Sequence, residues 1–428
     1  MSKKAHETAL PKRRFPEFQG KEPWEVKPLG SVAKLIKEKA GSKQYKLMSI
    51  TSGAGLVSQM EKFGREIAGA SYKNYYVIRK GDFAYNKSST KLDPEGQIAL
   101  LENEEAGAVP NSIFTCFRVN EQIVSPQFLK YPFANNIHGK WLRDLIIVGA
   151  RVNGALSIDS KHLLALPLAL PSLPEQQKIA TALSSLDALL TAQTDKLTAL
   201  QAHKRSLMQN LFPAEGETVP KRRFSEFQDA VEWNNCPLKE VFTIFQGFAF
   251  SSRDSALTGA RWLKIADVGI QKMNPDAPSF LPSTHKEKYK RYLVREGDYV
   301  MALTRPLLGN ELKISPVNNF FDGALLNQRV GKLETENNNT FVYYLLQTSR
   351  LIAKIKKNIA GTEPPNLSAQ HLDDIEVSIP ERAEQQKIAD SLSSLDNIIT
   401  AQSRKIDALK LHKKGLMQVL FPSLKAND

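Results

Sequence analysis

The amino-acid sequence predicts an α+β fold in which two α/β blocks are separated by two long helices that pair as an antiparallel coiled coil, with a pseudo-two-fold internal repeat. Three observations predict it. Long strings recur 209 positions apart, leucine and isoleucine fall at alternating spacings of four and three in two stretches, and short β-rich runs with turn signals fill the remainder.

The repeat comes first because it dictates the architecture. PKRRFPEFQ from Pro11 recurs as PKRRFSEFQ from Pro220, and Trp24 recurs as Trp233. EQQKIATALSSLDALLTAQ from Glu175 recurs as EQQKIADSLSSLDNIITAQ from Glu384, and the LMQNLFP that ends at Pro213 recurs as the LMQVLFP that ends at Pro422. His162 and Leu163 return as His371 and Leu372. Between these anchors the copies diverge, so a common scaffold carries two different contents. The segments are then a leader with the first block (1–171), a first helix (172–213), a linker and second leader (214–232), a second block (233–380), a second helix (381–422) and a tail (423–428).

The first seam runs Ile179, Leu183, Leu186, Leu190, Gln193, Leu197, Leu200, Lys204, Leu207 and Leu211. The second runs Ile388, Leu392, Leu395, Ile399, Gln402, Ile406, Leu409, Lys413, Leu416 and Leu420. Pro174 and Pro380 stand before the helices, and Pro213 and Pro422 stop them. A parallel in-register pair would bury Lys204 against Lys413, which repulsion and desolvation both oppose. An antiparallel pair centred on Gln193 and Gln402 sends the lysines to opposite ends and brings Lys204 near Asp390. Each helix, about 37 residues long, spans about 55 Å, a rod able to hold two blocks at a set separation.

Within the blocks, residues Tyr75 to Lys87, Ile113 to Val119, Arg261 to Val268, Arg291 to Arg305 and Leu325 to Leu333 read as strands, and Phe341 to Lys357 reads as one helix. RKGDF (Arg79 to Phe83) and REGDY (Arg295 to Tyr299) mark a matching turn in each.

The chain has 428 residues, 42% of them hydrophobic, which suits two or more folded units. Its net charge of +13 favours polyanionic partners, with nucleic acid first among them. The two cysteines, Cys116 and Cys236, form neither a disulfide framework nor a zinc spacing, and the seven histidines form no metal motif. No apolar stretch long enough to cross a membrane occurs, which points to a cytoplasmic protein. A methyltransferase would need a glycine loop for its cofactor and an Asn/Asp-Pro-Pro-aromatic string, and an ATPase would need GxxxxGK[ST]. The sequence has none of these, so no catalytic residue, metal ligand or cofactor site is assigned. Recognition without catalysis is what remains.

Candidate DNA contacts are polar and basic residues on loops that follow the strands. In the first block these are Asn86, Lys87, Ser88 and Ser89, with Arg151 and Asn153 further on; in the second they are Lys264, Thr304, Arg305, Thr362 and Asn366. Arginine reads guanine and asparagine adenine through paired hydrogen bonds, whereas lysine and serine hold phosphates.

A PKRRFPEF-like leader, a variable block, an NLSxxHL-like segment (Asn366 to Leu372; SIDSKHL, Ser157 to Leu163, in the first copy) and an EQQKIA helix ending in LMQxLFP, all occurring twice, resemble the specificity subunits of Type I restriction-modification systems. The resemblance implies that each block is a target-recognition domain reading one half of a bipartite, asymmetric site in double-stranded DNA. It further implies that the helices recruit two modification subunits, which carry S-adenosylmethionine and methylate adenine, and that restriction subunits using ATP and Mg join them. The competing readings are a self-contained methyltransferase or nuclease and a two-domain adaptor that grips proteins rather than specific DNA.

Overall fold

The computed structural model describes residues 8–51, 53, 55–68, 71–145, 156–359 and 364–424. The chain divides into two compact units, one formed by residues up to Gln193 together with those from Lys405 onward, the other by Thr194–Arg404. Each long helix is thus shared between them.

Both units contain a four-stranded antiparallel sheet of the same topology. In the first the strand order is Ala33–Leu35, Phe114–Val119, Phe83–Asn86, Gln97–Leu100; in the second it is Thr243–Gln246, Val330–Glu334, Tyr299–Ala302, Ile314–Pro316. A strand at the start of each block, Trp24–Pro28 or Asn234–Pro237, pairs with the strand that precedes the long helix, Pro167–Leu170 or Glu376–Ile379, so the block begins and ends at one place.

Several expected elements differ. The run Leu325 to Leu333 is two strands, Leu325–Leu326 and Val330–Glu334, and the run Arg291 to Arg305 is strand only over Tyr299–Ala302. The strand expected over Arg261 to Val268 ends at Leu263, because Asp267 accepts the Lys264 N–H at 2.7 Å and turns the chain. The helix expected over Phe341 to Lys357 is two, Asn339–Leu346 and Ser349–Asn358. Thr348 breaks it by taking an extended backbone and capping the second helix through the Leu351 N–H.

The long helices are Leu173–Leu211 and Arg382–Leu420, each of 39 residues and so about 58 Å long. Pro174 lies inside the first turn rather than before it, where a missing N–H costs nothing because no intrahelical acceptor exists there. None of the seam positions is exposed, whereas the off-seam Leu189 and Ile398 are. In the first unit Ile179, Ala180 and Leu183 share one core with Leu416 and Met417, and Lys413 pairs with Asp187. As the numbers rise along one helix they fall along the other, so the segments run antiparallel. In the second unit Leu207, Met208 and Leu211 share a core with Ile388, Ala389 and Leu392, again antiparallel. Here Lys204, only 6% exposed, places its ammonium 2.6 Å from Asp396, not beside Asp390. Asp390 instead accepts a hydrogen bond from Gln386 one turn back on its own helix, and Asp396 takes the lysine because Tyr344 already anchors that carboxylate at 2.6 Å.

The repeated strings turn out to be joints. Arg14 clasps Glu175 through Nε (2.8 Å) and a terminal nitrogen (2.5 Å), while its other nitrogen donates to the carbonyls of Lys21 and Glu22. Arg223 clasps Glu384 in the same way (3.0 and 2.5 Å) and holds the carbonyls of Ala230 and Val231. The next residue along each helix fastens the block: Gln176 accepts the Ser125 N–H at 2.8 Å, and Gln385 accepts the Asn338 N–H at 3.0 Å. Those two residues begin the block helices Pro126–Ala134 and Asn339–Leu346. The indole of Trp24 meets Phe128 and Phe421 edge-on, and that of Trp233 meets Phe341 and Phe212. Tyr131 and Tyr344 then donate to Asp187 and Asp396, the carboxylates that hold the seam lysines.

Candidate nucleic-acid interface

In each block a tight turn launches the strand that carries the candidate contacts. Gly81 and Gly297 adopt φ of +91° and +90°, a left-handed conformation that side chains oppose. Asp82 accepts the Arg79 N–H at 2.6 Å and Asp298 accepts the Arg295 N–H at 2.8 Å, closing the same loop. These explain why RKGDF and REGDY recur amid divergent surroundings. Asp82 also receives two hydrogen bonds from Arg118 across the sheet (2.6 and 2.8 Å).

The strands Phe83–Asn86 and Tyr299–Ala302 are followed by Lys87 and Leu303, and here the two blocks match bond for bond. The Lys87 N–H donates to the Ile113 carbonyl (3.0 Å) and its carbonyl accepts the Leu156 N–H (2.8 Å). The Leu303 N–H donates to Arg329 (2.9 Å) and its carbonyl accepts the Leu367 N–H (2.7 Å). The candidate loops after Asn86 and Ala302 therefore leave the fold at one equivalent place.

In the first block Asn86, Lys87 and Ser88 are half-buried and Ser89 is exposed, with the Asn86 amide oxygen receiving the Ser88 N–H at 2.9 Å. In the second, Thr304 pairs with Asn366, and the exposed Arg305 takes a left-handed backbone (φ +50°) while its N–H donates to Pro365 at 2.7 Å. A non-glycine residue held there stores strain of the kind that collects at binding sites. Asn366 donates to the Pro364 carbonyl at 3.0 Å. Lys264 sits on a separate turn with its ammonium 3.8 Å from the Trp262 ring centre. Buried Arg261 holds Asp267 at 3.0 Å to support that turn, and Lys313 ties it to the Arg305 hairpin through the Ile265 carbonyl at 3.1 Å. Burial lowers the Lys313 pKa and raises that of Asp267. Arg151, Asn153 and Thr362 lie outside the described residues.

Arg329 joins the candidate contacts only in the structure, because the sequence pattern places it inside a continuous strand from Leu325 to Leu333. The strand is interrupted at Asn327, whose side chain accepts the Arg329 N–H at 3.0 Å, and Arg329 emerges exposed beside Leu303. The turn aspartates were recognisable from the matching GD pair, but their role as N–H acceptors was not.

A family model described as the Type I restriction modification DNA specificity domain matches residues 21–202 and again residues 230–411. The chain belongs to the Type I restriction-modification DNA specificity family. Among its members, the Type I restriction enzyme MjaVIII specificity subunit of Methanocaldococcus jannaschii is 30% identical over 274 residues, 63% of this chain, and the chain spans 64% of that relative's length. The MjaIX specificity subunit of the same organism is 22% identical over 386 residues, 84% of this chain and 85% of its own. A crystal structure of the Type I restriction-modification S subunit from M. genitalium shares the fold, with a TM-score of 0.61 at 16% identity over 97% of this chain and 100% of the other. The two matched specificity-domain segments each enclose one four-stranded sheet and one candidate loop. Among the described residues no helix is long and apolar enough to cross a membrane.

Proposed function

We propose that this chain is the DNA-reading subunit of a Type I restriction-modification complex, in which each block reads one half of a bipartite asymmetric site in double-stranded DNA. The observation that carries this reading is the contrast inside the duplication: the joints repeat bond for bond, while the loops leaving Lys87 and Leu303 share a position and hardly a sequence. A scaffold kept constant under two different loop sets suits one task performed on two targets. The excess of 13 positive charges supplies the phosphate attraction that such a task needs. Segments 172–213 and 381–422 then set the gap between half-sites and seat two modification subunits. S-adenosylmethionine belongs to those partners, ATP and Mg belong to restriction subunits, and this cytoplasmic chain contributes recognition and no catalysis of its own.

Selection from a randomised duplex library, with the modification subunits present, tests the proposal. The expected product is a two-part motif with a fixed gap. Binding that is weak and indifferent to sequence would instead support a protein-gripping adaptor, and DNA modified by the purified chain alone would support a self-contained enzyme. Inserting seven residues into one helix adds about 10 Å, or about three base pairs of rise. The selected gap then changes, and an unchanged gap contradicts the rod.

A further inference from the structure

In each block the strand after the Gly-Asp turn forms a hairpin with the next strand, Phe83–Asn86 with Gln97–Leu100 and Tyr299–Ala302 with Ile314–Pro316, and the loop of that hairpin is of equal length in both copies. In the first block Leu101 closes the hairpin onto Asp82 and Gly81, and in the second Val317 closes it onto Asp298 and Gly297, so each position in one hairpin corresponds to the position 216 residues later. Across the residues between the paired strands, 87–96 and 303–312, the two loops agree in sequence at two places only, Leu92 with Leu308 and Glu95 with Glu311. Leu92 is 81% exposed and Leu308 is 65% exposed.

An exposed leucine alone needs no explanation. Two of them at one register, in loops that otherwise diverge, do. Other large apolar side chains are exposed in the described residues: Leu257 and Phe320 have no exposed apolar counterpart in the first block, and the matched pair Leu189 and Ile398 lies on the long helices, inside strings that repeat throughout, rather than in divergent loops. The backbone presents each leucine at a tip. Leu308 ends a two-residue strand that folds back on Glu311–Leu312 through a turn with Gly309 at φ +63°. Leu92 precedes Asp93, whose carbonyl accepts the Thr90 and Gly96 N–H groups at 3.1 Å each. An exposed cation precedes each: Lys91 directly before Leu92, and the left-handed Arg305 three residues before Leu308. A protruding apolar side chain preceded by a cation, on the loop that carries the candidate base contacts, suits a duplex: the charge holds a phosphate while the apolar tip enters between two base pairs.

We propose that Leu92 and Leu308 are wedges, one per half-site, that part a base step when the chain engages its DNA. The proposal rests on the DNA-reading function above and adds deformation of the duplex to recognition of its edges. A wedge makes specificity depend on how readily the parted step unstacks, so a flexible pyrimidine–purine step is favoured there at a base pair that no side chain hydrogen-bonds.

The experiment uses the full chain bound to its modification subunits and a duplex carrying the selected site, with the fluorescent adenine analogue 2-aminopurine placed in turn at each step of both half-sites. The wild type is expected to raise fluorescence at one step per half-site outside the methylated adenine. L92A removes the signal from one half-site and L308A from the other, each weakening binding about tenfold, the equivalent of one lost stacking contact. L92M and L308M retain it, and K91A weakens binding without abolishing it. Sequence-selective binding with no unstacking signal, or a signal indifferent to both alanine variants, overturns the wedge and leaves the DNA-reading function standing. Loss of sequence-selective binding in the wild type sinks both. Alanine variants that lose modification subunits on sedimentation while keeping the signal place the leucines in a protein interface instead, which also overturns the proposal.

Discussion

The joint at the end of each long helix and the hairpin loop of each block are built on opposite terms. In the joint, the central charges are buried and paired: Arg14 with Glu175, Arg223 with Glu384, Lys204 with Asp396. In the blocks several ion pairs are open to water, as between Arg79 and Glu38, and side chains at the loop tips stand in solvent. Buried pairs tolerate no change of partner, because an orphaned charge is left where water cannot reach it. Exposed loops tolerate almost any. The duplication has kept what the first rule protects and varied what the second permits, which is what the proposed reading of two targets by one scaffold requires.

Breaking a joint should have the largest effect. Arg223→Ala leaves Glu384 buried and unpaired, and the expected loss is about 3–5 kcal/mol in urea denaturation; replacing both partners with Met and Leu should cost far less. A loss under about 1 kcal/mol for the single variant would mean the clasp is decoration. Truncating the aromatic centre, Trp233→Ala, should cost about 3–5 kcal/mol, since Phe212 and Phe341 lose the ring between them.

The tyrosines sharpen the comparison through pH. Burial first, and then the hydrogen bond to Asp396, raises the Tyr344 hydroxyl above its ordinary value of 10.0; burial and the neighbouring Asp187 do the same to Tyr131. A raised folded-state value means the stabilisation is complete below about pH 10 and declines as pH rises above it, by about 1.4 kcal/mol per unit per tyrosine. Tyr344→Phe should cost about 1 kcal/mol at neutral pH and flatten that decline. An equally steep decline in the Tyr131/Tyr344 double phenylalanine variant would contradict it. The smallest effect belongs to the open pair: Glu38→Ala should shift stability by no more than about 0.5 kcal/mol, less at high salt, since Arg79 and Glu38 are both nearly half exposed.

Much of the scaffold was legible because identical strings at one displacement announce identical surroundings, and because a seam written in leucine survives any detail of its packing. What the sequence hid lies where displacement drifts. Ser125, Phe128 and Tyr131 correspond to Asn338, Phe341 and Tyr344 at 213 positions rather than 209, and their identity has worn down to a Phe and a Tyr, so neither the aromatic joint nor the tyrosine anchor stood out. The pairing of Lys204 with Asp396 rather than Asp390 depended on that hidden tyrosine. Of the candidate contacts, the loops after Asn86 and Ala302 were visible as polar runs following β-rich runs. Arg329 was not, because nothing local distinguishes an interrupted strand from a continuous one.

The central claim is that the two blocks are independent readers on a shared scaffold, and exchanging one of them tests it most directly. Replacing residues 25–166 with the corresponding block of a relative, while keeping Trp24 and the helix joint, and then sequencing the adenine methylation deposited by the assembled complex, should show one half of the recognition motif replaced and the other half and the gap unchanged. A change in both halves, or a gap that shifts with the block, would contradict it.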